Sequence, residues 1–318
     1  MNEPESNATP AGLVGRLQTA WNGLPANIRG VGFAVVGGFI LIVMASLVKQ
    51  LGQELPAFEV LFVRFFAGFL VILPVIWRMG FGVLRTKKLH LHATRGFVGF
   101  MGNIFFFFAL INMALGDTVT IQFSRPLIMV VIASLVLREV VGARRALVTV
   151  IGFVGVMMIT RPFGEGFEPW ALVALGGTFF GTLVVLSIKV LSRTEPTLVI
   201  MFYFALFTSL FALIPALFVW VQPSWSQLGL LALTGALGIV GQGMFTHGIG
   251  LGETSFIMPF DYLRIVYGFG LGVIWFGEVP GIWSLAGAGV IICSSLYLLR
   301  TEKKKPEKTE PEAASPDR

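Results

Sequence analysis

The sequence contains very few charged residues. Asp, Glu, Lys and Arg make up 13% of its 318 residues, whereas hydrophobic residues make up 55%. A soluble domain carries roughly a quarter charged residues, so too few are present to cover a soluble surface. The short alternating segments of a β-barrel are also missing. The apolar residues form blocks of about 20, the length of a helix that crosses the hydrocarbon core of a membrane.

Cysteine is almost absent as well. The one cysteine, Cys293, lies inside an apolar run, which excludes a disulfide within one chain. We interpret its thiol as structural, because apolar burial disfavours the reactive thiolate. Residues 1–28 contain Glu3 and Pro10 and no long apolar core, which argues against a cleaved signal peptide. There is no ordered set of metal ligands and no nucleotide-binding loop motif, so we expect neither a metal nor a cofactor.

The apolar blocks predict ten membrane-spanning helices joined by short connections, in an all-α integral membrane protein. We number these spans 1 to 10, and they lie near residues 31–52, 58–78, 96–115, 118–137, 146–162, 169–191, 197–221, 226–249, 254–277 and 280–299. The connections leave no room for a soluble domain.

Lysine and arginine cluster in the loops that follow even-numbered spans. Such residues follow spans 2, 4, 6 and 10, and the main ones are Arg78, Arg85, Lys87, Lys88, Arg95, Arg138, Arg144, Arg145, Lys189, Arg193, Arg300 and Lys303–Lys305. The alternate loops hold almost none, with Arg161 as the main exception. Since positively charged loops stay in the cytoplasm, we expect both termini there and the chain in a bacterial inner membrane. These loop positions explain the net charge of +6, so nucleic acid is not an expected partner.

The two ends of the chain are predicted to be cytoplasmic tails. In residues 1–30, Leu13, Leu17 and Trp21 share one helical face. That pattern fits either an amphipathic helix on the inner leaflet or a partly ordered tail. Residues 301–318 are polar, charged and proline-containing, which predicts disorder.

The two halves of the chain repeat one another. Matching positions lie about 139 residues apart: Gly37-Gly38 and Gly176-Gly177, Lys49 and Lys189, Pro56 and Pro196, Leu115-Gly116-Asp117-Thr118 and Leu251-Gly252-Glu253-Thr254, and Glu139 and Glu278. Each repeat, 31–162 and 168–300, holds five spans, an odd number, so the second would enter the membrane in the opposite orientation. Secondary transporters use this inverted-repeat plan, with a substrate site near the midplane between the repeats.

The sequence resembles a known family in these features. Two halves of five spans, with a Leu-Gly-acid step before spans 4 and 9 and a Glu after them, resemble the EamA-type members of the drug/metabolite transporter superfamily over about residues 31–300. Phe58-Glu59-Val60 followed by Arg64-Phe65-Phe66 is similar to the S-adenosylmethionine uptake transporter group. The resemblance implies transport of a small metabolite without ATP, but it does not identify the cargo.

The expected function is therefore a secondary transporter of a small metabolite that works by alternating access. Coupling to a proton or another ion and exchange both stay open, as do the direction of flux and a homodimer. The alternative is a membrane-embedded enzyme acting on a lipid-linked substrate. It would need a convergent nucleophile, base or metal set, and no catalytic motif organises one. A channel or receptor is a third reading of the same spans.

Ionisable residues inside the spans mark the expected pathway, because each costs about 2.5–3.5 kcal/mol on insertion scales. Span 9 gives the strongest signal. Asp261 and Arg264 are three residues apart and can pair, Tyr262 lies between them, and Pro259 is expected to interrupt the helix just before. This pattern predicts a substrate or proton site, and the alternative is an ion pair that only fixes helix packing.

Arg125 in span 4 is the second candidate, with Gln122 one turn before it and Pro126 after it. The repeat offset aligns Arg125 with Asp261, but depth in the membrane places it closer to Arg264. Two arginines on opposite walls would suit a carboxylate or phosphate of an anionic or zwitterionic metabolite. The alternative is that Arg125 only caps carbonyls freed near the proline.

Three more polar residues complete the predicted substrate site. Arg64 lies deep in span 2 and is expected to face the interior. Asn103 in span 3 and Gln242 in span 8 need partners in a dry interior and hold corresponding spans of the repeat, so both are predicted to line the cavity.

Two residues are candidates for proton coupling. Asp261 is the first, and His247 near the cytoplasmic end of span 8 is the second. A hydrogen-bonded packing role is the alternative for His247. Glu59 is expected near the outer interface, where it either anchors the helix at the interface, the favoured interpretation, or pairs with Lys49 across a short loop.

Overall fold

A computed structural model describes residues 21–135, 143–161, 167–191, 194–252 and 254–302. These residues form helices and no strands, which confirms the predicted all-helical class. Each helix takes the number of its predicted span, and a span broken into two helices is given as a and b. The helices are α1 (Ala26–Leu51), α2 (Ala57–Met79), α3 (Leu89–Asn112), α4a (Leu115–Gln122), α4b (Arg125–Leu135), α5 (Ala143–Thr160), α6 (Trp170–Leu191), α7 (Thr197–Phe218), α8 (Trp225–Leu251), α9a (Thr254–Asp261), α9b (Leu263–Phe276) and α10 (Ile282–Glu302).

Seven helical segments in the described ranges are long and apolar enough to cross a membrane. They are α1, α2, α3, the stretch Leu115–Ile132 that joins α4a to α4b, α6, α7 and α8. Three further apolar stretches are shorter: Ala146–Thr160, Leu263–Phe276 and Ile282–Tyr297. The chain is therefore a multi-pass membrane protein.

Spans 4 and 9 are each divided by a break in the helix. The first break lies between Gln122 and Arg125, and the second is at Tyr262. The expectation that Pro259 interrupts span 9 is wrong, since α9a continues through Pro259 to Asp261. Helices α4a and α9a are each eight residues long, so both spans begin with a short helix of equal length.

Helix packing follows the same pattern in both halves. Helix α1 packs on α8 as α6 packs on α3, and α8 packs on α2 as α3 packs on α7. Helix α2 also packs on its counterpart α7, and α5 packs on its counterpart α10. If each helix is replaced by its counterpart in the other half, five helices away in the chain, the same set of packed helix pairs results. The repeat in the sequence predicts this symmetry.

The largest buried apolar cluster contains residues from both halves. Val48, Leu61 and Phe107 come from the first half, and Leu231 and Ile265 come from the second. Inside a membrane such side chains are stabilised by close van der Waals packing between helices, and here that packing involves both halves. The two halves therefore pack as one unit around a shared core.

Glycines allow α1 and α8 to approach closely. A Cβ atom added to Gly248 would lie 2.6 Å from the carbonyl oxygen of Gly30 and 2.9 Å from the amide nitrogen of Ala34. These are backbone atoms, which cannot rotate away as a flexible side chain can. The crossing therefore depends on the absence of a side chain at Gly248.

Replacing Gly248 with alanine is expected to destabilise the protein by about 1–3 kcal/mol, the usual range for overpacking. Gly250→Ala is the matched control on the same helix, because a Cβ atom there meets no atom within 4 Å. Alanine at that position should be neutral or stabilising by up to about 1 kcal/mol. The free energies of unfolding of both purified variants are measured in detergent. Equal losses of stability in the two variants would contradict the close packing of α1 on α8.

Several predicted features lie outside the described residues. They are the helical face at Leu13 and Leu17, the repeat positions Glu139 and Glu253, and the tail beyond residue 302. Of the predicted N-terminal face, Trp21 is described, and its ring packs edge-to-face on Phe33 with centroids 5.6 Å apart.

Candidate functional site

The two helix breaks face each other in the structure. Phe123 follows the last residue of α4a, and its ring packs against that of Tyr262 with centroids 4.9 Å apart. Ser295 of α10 donates a hydrogen bond of 3.0 Å to the Phe123 carbonyl and is hydrogen-bonded to the Tyr262 hydroxyl. A break frees backbone groups that need partners, and Ser295 supplies one. We call the group formed by Phe123, Tyr262, Arg125, Asp261 and Arg264 the helix-break centre.

The predicted pairing of Asp261 with Arg264 is present. Arg264 Nε lies 2.6 Å from Asp261 Oδ1, and Nη2 donates to Oδ2 at 2.7 Å. Asp261 is 5% exposed. The guanidinium also lies over the rings of Phe123 and Phe245, at 5.2 and 5.3 Å from their centroids. These two contacts join the end of α9a to the start of α9b across the break in span 9. The rings of Phe123 and Phe245 stabilise the guanidinium further.

Arg125 lies near this ion pair at the start of α4b. Its guanidinium is close enough to Arg264 and Asp261 to interact with both electrostatically. A Cβ atom on Gly181 of α6 would lie 3.5 Å from Nη2, so the guanidinium borders α6 where a side chain is missing. Within the described part of the chain, the buried Nε atom of Arg125 has no hydrogen-bond partner. Arg125 and Arg264 therefore lie near each other as predicted, whereas a cavity between them stays a prediction.

The predicted alignment of Arg125 with Asp261 is wrong. Helix α4a ends at Gln122 and α9a ends at Asp261, so these two residues hold equivalent positions, and Arg125 corresponds to Arg264. The Leu-Gly-acid motif lies upstream of each break and is three residues further from it in the second half. A glutamine therefore replaces the carboxylate in the first half, and among the described residues Arg125 has no ion pair like that of Arg264. Two arginines and one aspartate leave the centre with one net positive charge.

Arg64 occupies a different, aromatic environment. Its guanidinium carbon lies 4.8 Å from the centroid of Phe65 and 5.4 Å from that of Phe107. A Cβ atom on Gly238 of α8 would lie 3.3 Å from Nη2. Among the described residues, no hydrogen bond or ion pair joins Arg64 to the helix-break centre. Arg64 faces the interior as predicted, but the structure does not bring it to the two breaks.

The remaining predicted site residues have local partners. Asn103 donates to the carbonyl of Gly99 in its own helix at 2.8 Å. Gln242 is exposed and lies 3.4 Å from the Thr246 hydroxyl one turn later. Their cavity-lining role stays a prediction.

His247 is exposed and packs its ring edge-to-face on Phe33, with centroids 4.9 Å apart. This contact fits the packing alternative for the histidine. Gln122 is half-buried at the end of α4a, next to the helix-break centre.

The predicted pairing of Glu59 with Lys49 is wrong. Glu59 is fully buried and accepts a hydrogen bond of 3.0 Å from the backbone amide of Val221. Lys49 forms an ion pair with Glu278 and donates a 2.5 Å hydrogen bond to the Met113 carbonyl. Glu59 lies in the first turn of α2, beside the loop that follows α7. Lys49 lies near the end of α1, where it contacts the connection before α4a and the connection after α9b.

The ion pair of Lys49 and Glu278 joins three parts of the chain. Glu278 Oε2 also accepts a 2.8 Å hydrogen bond from the backbone amide of Leu115 at the start of α4a. The Lys49 ammonium lies 5.2 Å from the ring centroid of Phe276. We call Lys49 and Glu278 the clamp, because they tie α1 and α4a of the first half to the α9b–α10 connection of the second. In the sequence Glu278 was visible only as a marker of the repeat, and Lys49 as such a marker and as a partner for Glu59.

Ser295→Ala is expected to lower the free energy of unfolding by about 1–3 kcal/mol, because the partly buried Phe123 carbonyl and the hydroxyl of the buried Tyr262 both lose a partner. Ser187→Ala is the control, since the Ser187 hydroxyl donates to the Val184 carbonyl of its own helix and makes no other hydrogen bond among the described residues. Thermal unfolding in detergent separates the two variants. A loss at Ser295 no larger than that at Ser187 would show that the hydroxyl does not hold the breaks together.

Fold and site together define a multi-pass helical membrane protein with two similarly packed halves and charged side chains at two facing helix breaks. The chain belongs to the EamA-like transporter family, whose model matches it twice, at residues 28–161 and 168–300.

Its relatives carry names of small-molecule transporters. The S-adenosylmethionine uptake transporter of Rickettsia felis is 30% identical over 275 residues, which cover 85% of this chain and 93% of the relative. The pseudopaline exporter CntI of Pseudomonas aeruginosa is 28% identical over 278 residues, covering 86% and 97%. The riboflavin transporter of Vibrio cholerae is 28% identical over 283 residues, covering 87% and 95%. The family membership supports a small-molecule transporter and not an enzyme.

A solved crystal structure shares the fold. It has a TM-score of 0.57 and 20% sequence identity, with 86% of this chain and 98% of the other chain covered.

Proposed function

We propose that the protein is a secondary transporter that carries a small metabolite with an anionic group across the bacterial inner membrane by alternating access. The observation that carries this proposal is the helix-break centre, where Arg125 lies beside the Asp261–Arg264 pair without a matching carboxylate. A guanidinium in a site of low polarity favours a carboxylate or phosphate that binds it through two hydrogen bonds. A metabolite with such a group would neutralise the remaining positive charge.

In this proposal all ten spans cross the membrane, as two inverted repeats at 31–162 and 168–300, with both termini in the cytoplasm. The repeated packing pattern supports it, because the same pairs of helices meet in each half. The three shorter apolar stretches, in spans 5, 9 and 10, complete the count. Broken helices that expose charged groups to a central cavity belong to this plan.

Asp261 gives the proposal a route to proton coupling. While it is ionised, Asp261 pairs with Nε and Nη2 on one edge of the Arg264 guanidinium. A proton taken up by the carboxylate would weaken this ion pair and free the guanidinium for an anionic group of the metabolite. Proton and metabolite would then bind together, and Tyr262 and Gln122 border the position where they meet. Exchange of one metabolite for another would use the same arginines without the proton.

A thermal-shift screen of the purified protein tests the proposal first, since a ligand that binds only the folded state raises its unfolding temperature. The library should contain S-adenosylmethionine, riboflavin, pseudopaline, amino acids and nucleosides. Hits are then tested for uptake into proteoliposomes, with and without an imposed pH gradient. Uptake that follows the gradient supports proton coupling, and uptake that needs preloaded metabolite supports exchange. Conversion of a hit into a product without movement across the membrane would overturn the proposal.

A further inference from the structure

A polar pocket lies beside the clamp and is separate from the helix-break centre. Its volume is about 530 Å³, and its lining includes Lys49, Gln53, Met113, Glu168, Phe276 and Glu278. It is formed by the ends of α1, α3 and α9b, which face the outside in the proposed topology. None of its lining residues belongs to the helix-break centre.

The pocket contains more negative than positive charge. Its lining holds the carboxylates of Glu168 and Glu278 and the ammonium of Lys49. Lys49 pairs with Glu278, and no described residue forms an ion pair with Glu168. Asp117 and Arg161 interact electrostatically with each other nearby and add charges of opposite sign. One negative charge therefore remains for a ligand.

The surroundings of Lys49 show which chemistry the pocket accommodates. Lys49 as a residue is 6% exposed. Its ammonium contacts the Glu278 carboxylate, the Met113 carbonyl and the face of the Phe276 ring. A carboxylate, a carbonyl oxygen and an aromatic face are the groups that bind an alkylammonium ion in proteins. The Lys49 ammonium thus already occupies the part of the pocket formed by Glu278, Met113 and Phe276. Glu168 lines the remaining part.

We propose that this pocket is an entry subsite for a cationic, alkylammonium-like group of the transported metabolite. Glu168 supplies the unpaired carboxylate, and the ligand cation competes with Lys49 for Glu278 and for the ring of Phe276. That the bound cation belongs to transported cargo rests on the proposed function. A zwitterionic metabolite would meet the negative pocket first and the positive helix-break centre afterwards.

Labelling of a single cysteine in the pocket tests the charge preference. In the purified full chain with Cys293→Ala, Gln53→Cys introduces a thiol at the pocket wall. Gln53 is exposed and donates only to the Ile111 carbonyl, so its loss should be tolerated. The thiol is treated with a trimethylammonium or a sulfonate methanethiosulfonate reagent, and each rate is divided by the rate of that reagent with a free thiol. We expect the cationic reagent to react at least about tenfold faster, within the range of electrostatic steering.

Two further measurements tie the preference to the pocket. Adding Glu168→Gln to the Gln53→Cys variant should bring the rate ratio close to one, and tetramethylammonium chloride should slow labelling more than sodium chloride at equal ionic strength. Ser226→Cys is the control, because Ser226 is exposed in the first turn of α8 and does not line the pocket. Its ratio should not depend on Glu168.

Equal ratios at the Gln53 and Ser226 positions, or a ratio unaffected by Glu168→Gln, would overturn the subsite. Labelling requires no transport, so this result would leave the proposed function untouched. Absence of uptake for every hit of the screen would instead overturn the proposed function without changing the labelling ratios.

Discussion

Arg125→Ala is expected to lower metabolite uptake in proteoliposomes about 10- to 100-fold while the protein is produced and folded normally. A hydrogen bond to a charged group contributes about 1.5–3 kcal/mol, which corresponds to this range of affinity. Folding should not suffer, because the Nε atom of Arg125 makes no hydrogen bond among the described residues. Removing an uncompensated buried charge costs little stability or adds some.

Arg125→Lys and Arg144→Ala provide the controls for this experiment. Lysine keeps the charge but loses the two-point geometry, so uptake should fall less and chiefly through a higher KM. Arg144 is exposed at the start of α5, and its alanine variant should transport normally. Normal uptake by Arg125→Ala would remove Arg125 from the substrate site and leave it a residue of helix packing.

Lys49→Met is expected to destabilise the protein by about 3 kcal/mol or more, because it leaves Glu278 without its partner. Breaking a buried ion pair on one side costs about 3–5 kcal/mol, and the Glu278 side chain is 21% exposed, which favours the lower end. The double variant Lys49→Met with Glu278→Gln removes both charges and should regain part of the loss. Glutamine can still accept the hydrogen bond from the Leu115 amide.

Chemical unfolding in detergent measures this double-mutant cycle. Lys88→Met is the matched control, since the Lys88 ammonium donates to the Thr194 hydroxyl at an exposed position and its loss should change stability by less than about 1 kcal/mol. If Lys49→Met and the double variant lose the same stability, the ion pair contributes nothing, and the three parts of the chain that meet there are held by other contacts.

The sequence was sufficient for the helical class, the repeat and the pair of Asp261 with Arg264, whereas it placed the second break too early, at Pro259. Hydrophobic length predicts helices without knowledge of their partners, and the pairing of Asp261 with Arg264 is a local contact within one turn of the chain. The equivalence of Gln122 with Asp261 was not predictable from the Leu-Gly-acid motif. The position of each break depends on backbone packing downstream of that motif, and the two halves differ there by three residues.

Contacts between distant parts of the chain were the least predictable. Lys49 and Glu59 are close in sequence and opposite in charge, but each finds its partner in another part of the fold, at Glu278 and Val221. The clamp and the pocket beside it depend on the packing of α1 against the end of α9b, which the sequence does not predict. Polar residues such as Gln242 and His247 were predicted from composition of the spans alone, which cannot tell an inward face from an outward one.

Accelerated exchange in proteoliposomes tests the central claim most directly. Vesicles with the purified protein are preloaded with an unlabelled hit of the screen, and the initial uptake of the labelled compound is followed as its external concentration rises. A carrier that alternates between two faces predicts saturable uptake that preloading accelerates and that Arg125→Ala lowers about 10- to 100-fold. Uptake that rises linearly with concentration and is indifferent to preloading would contradict it.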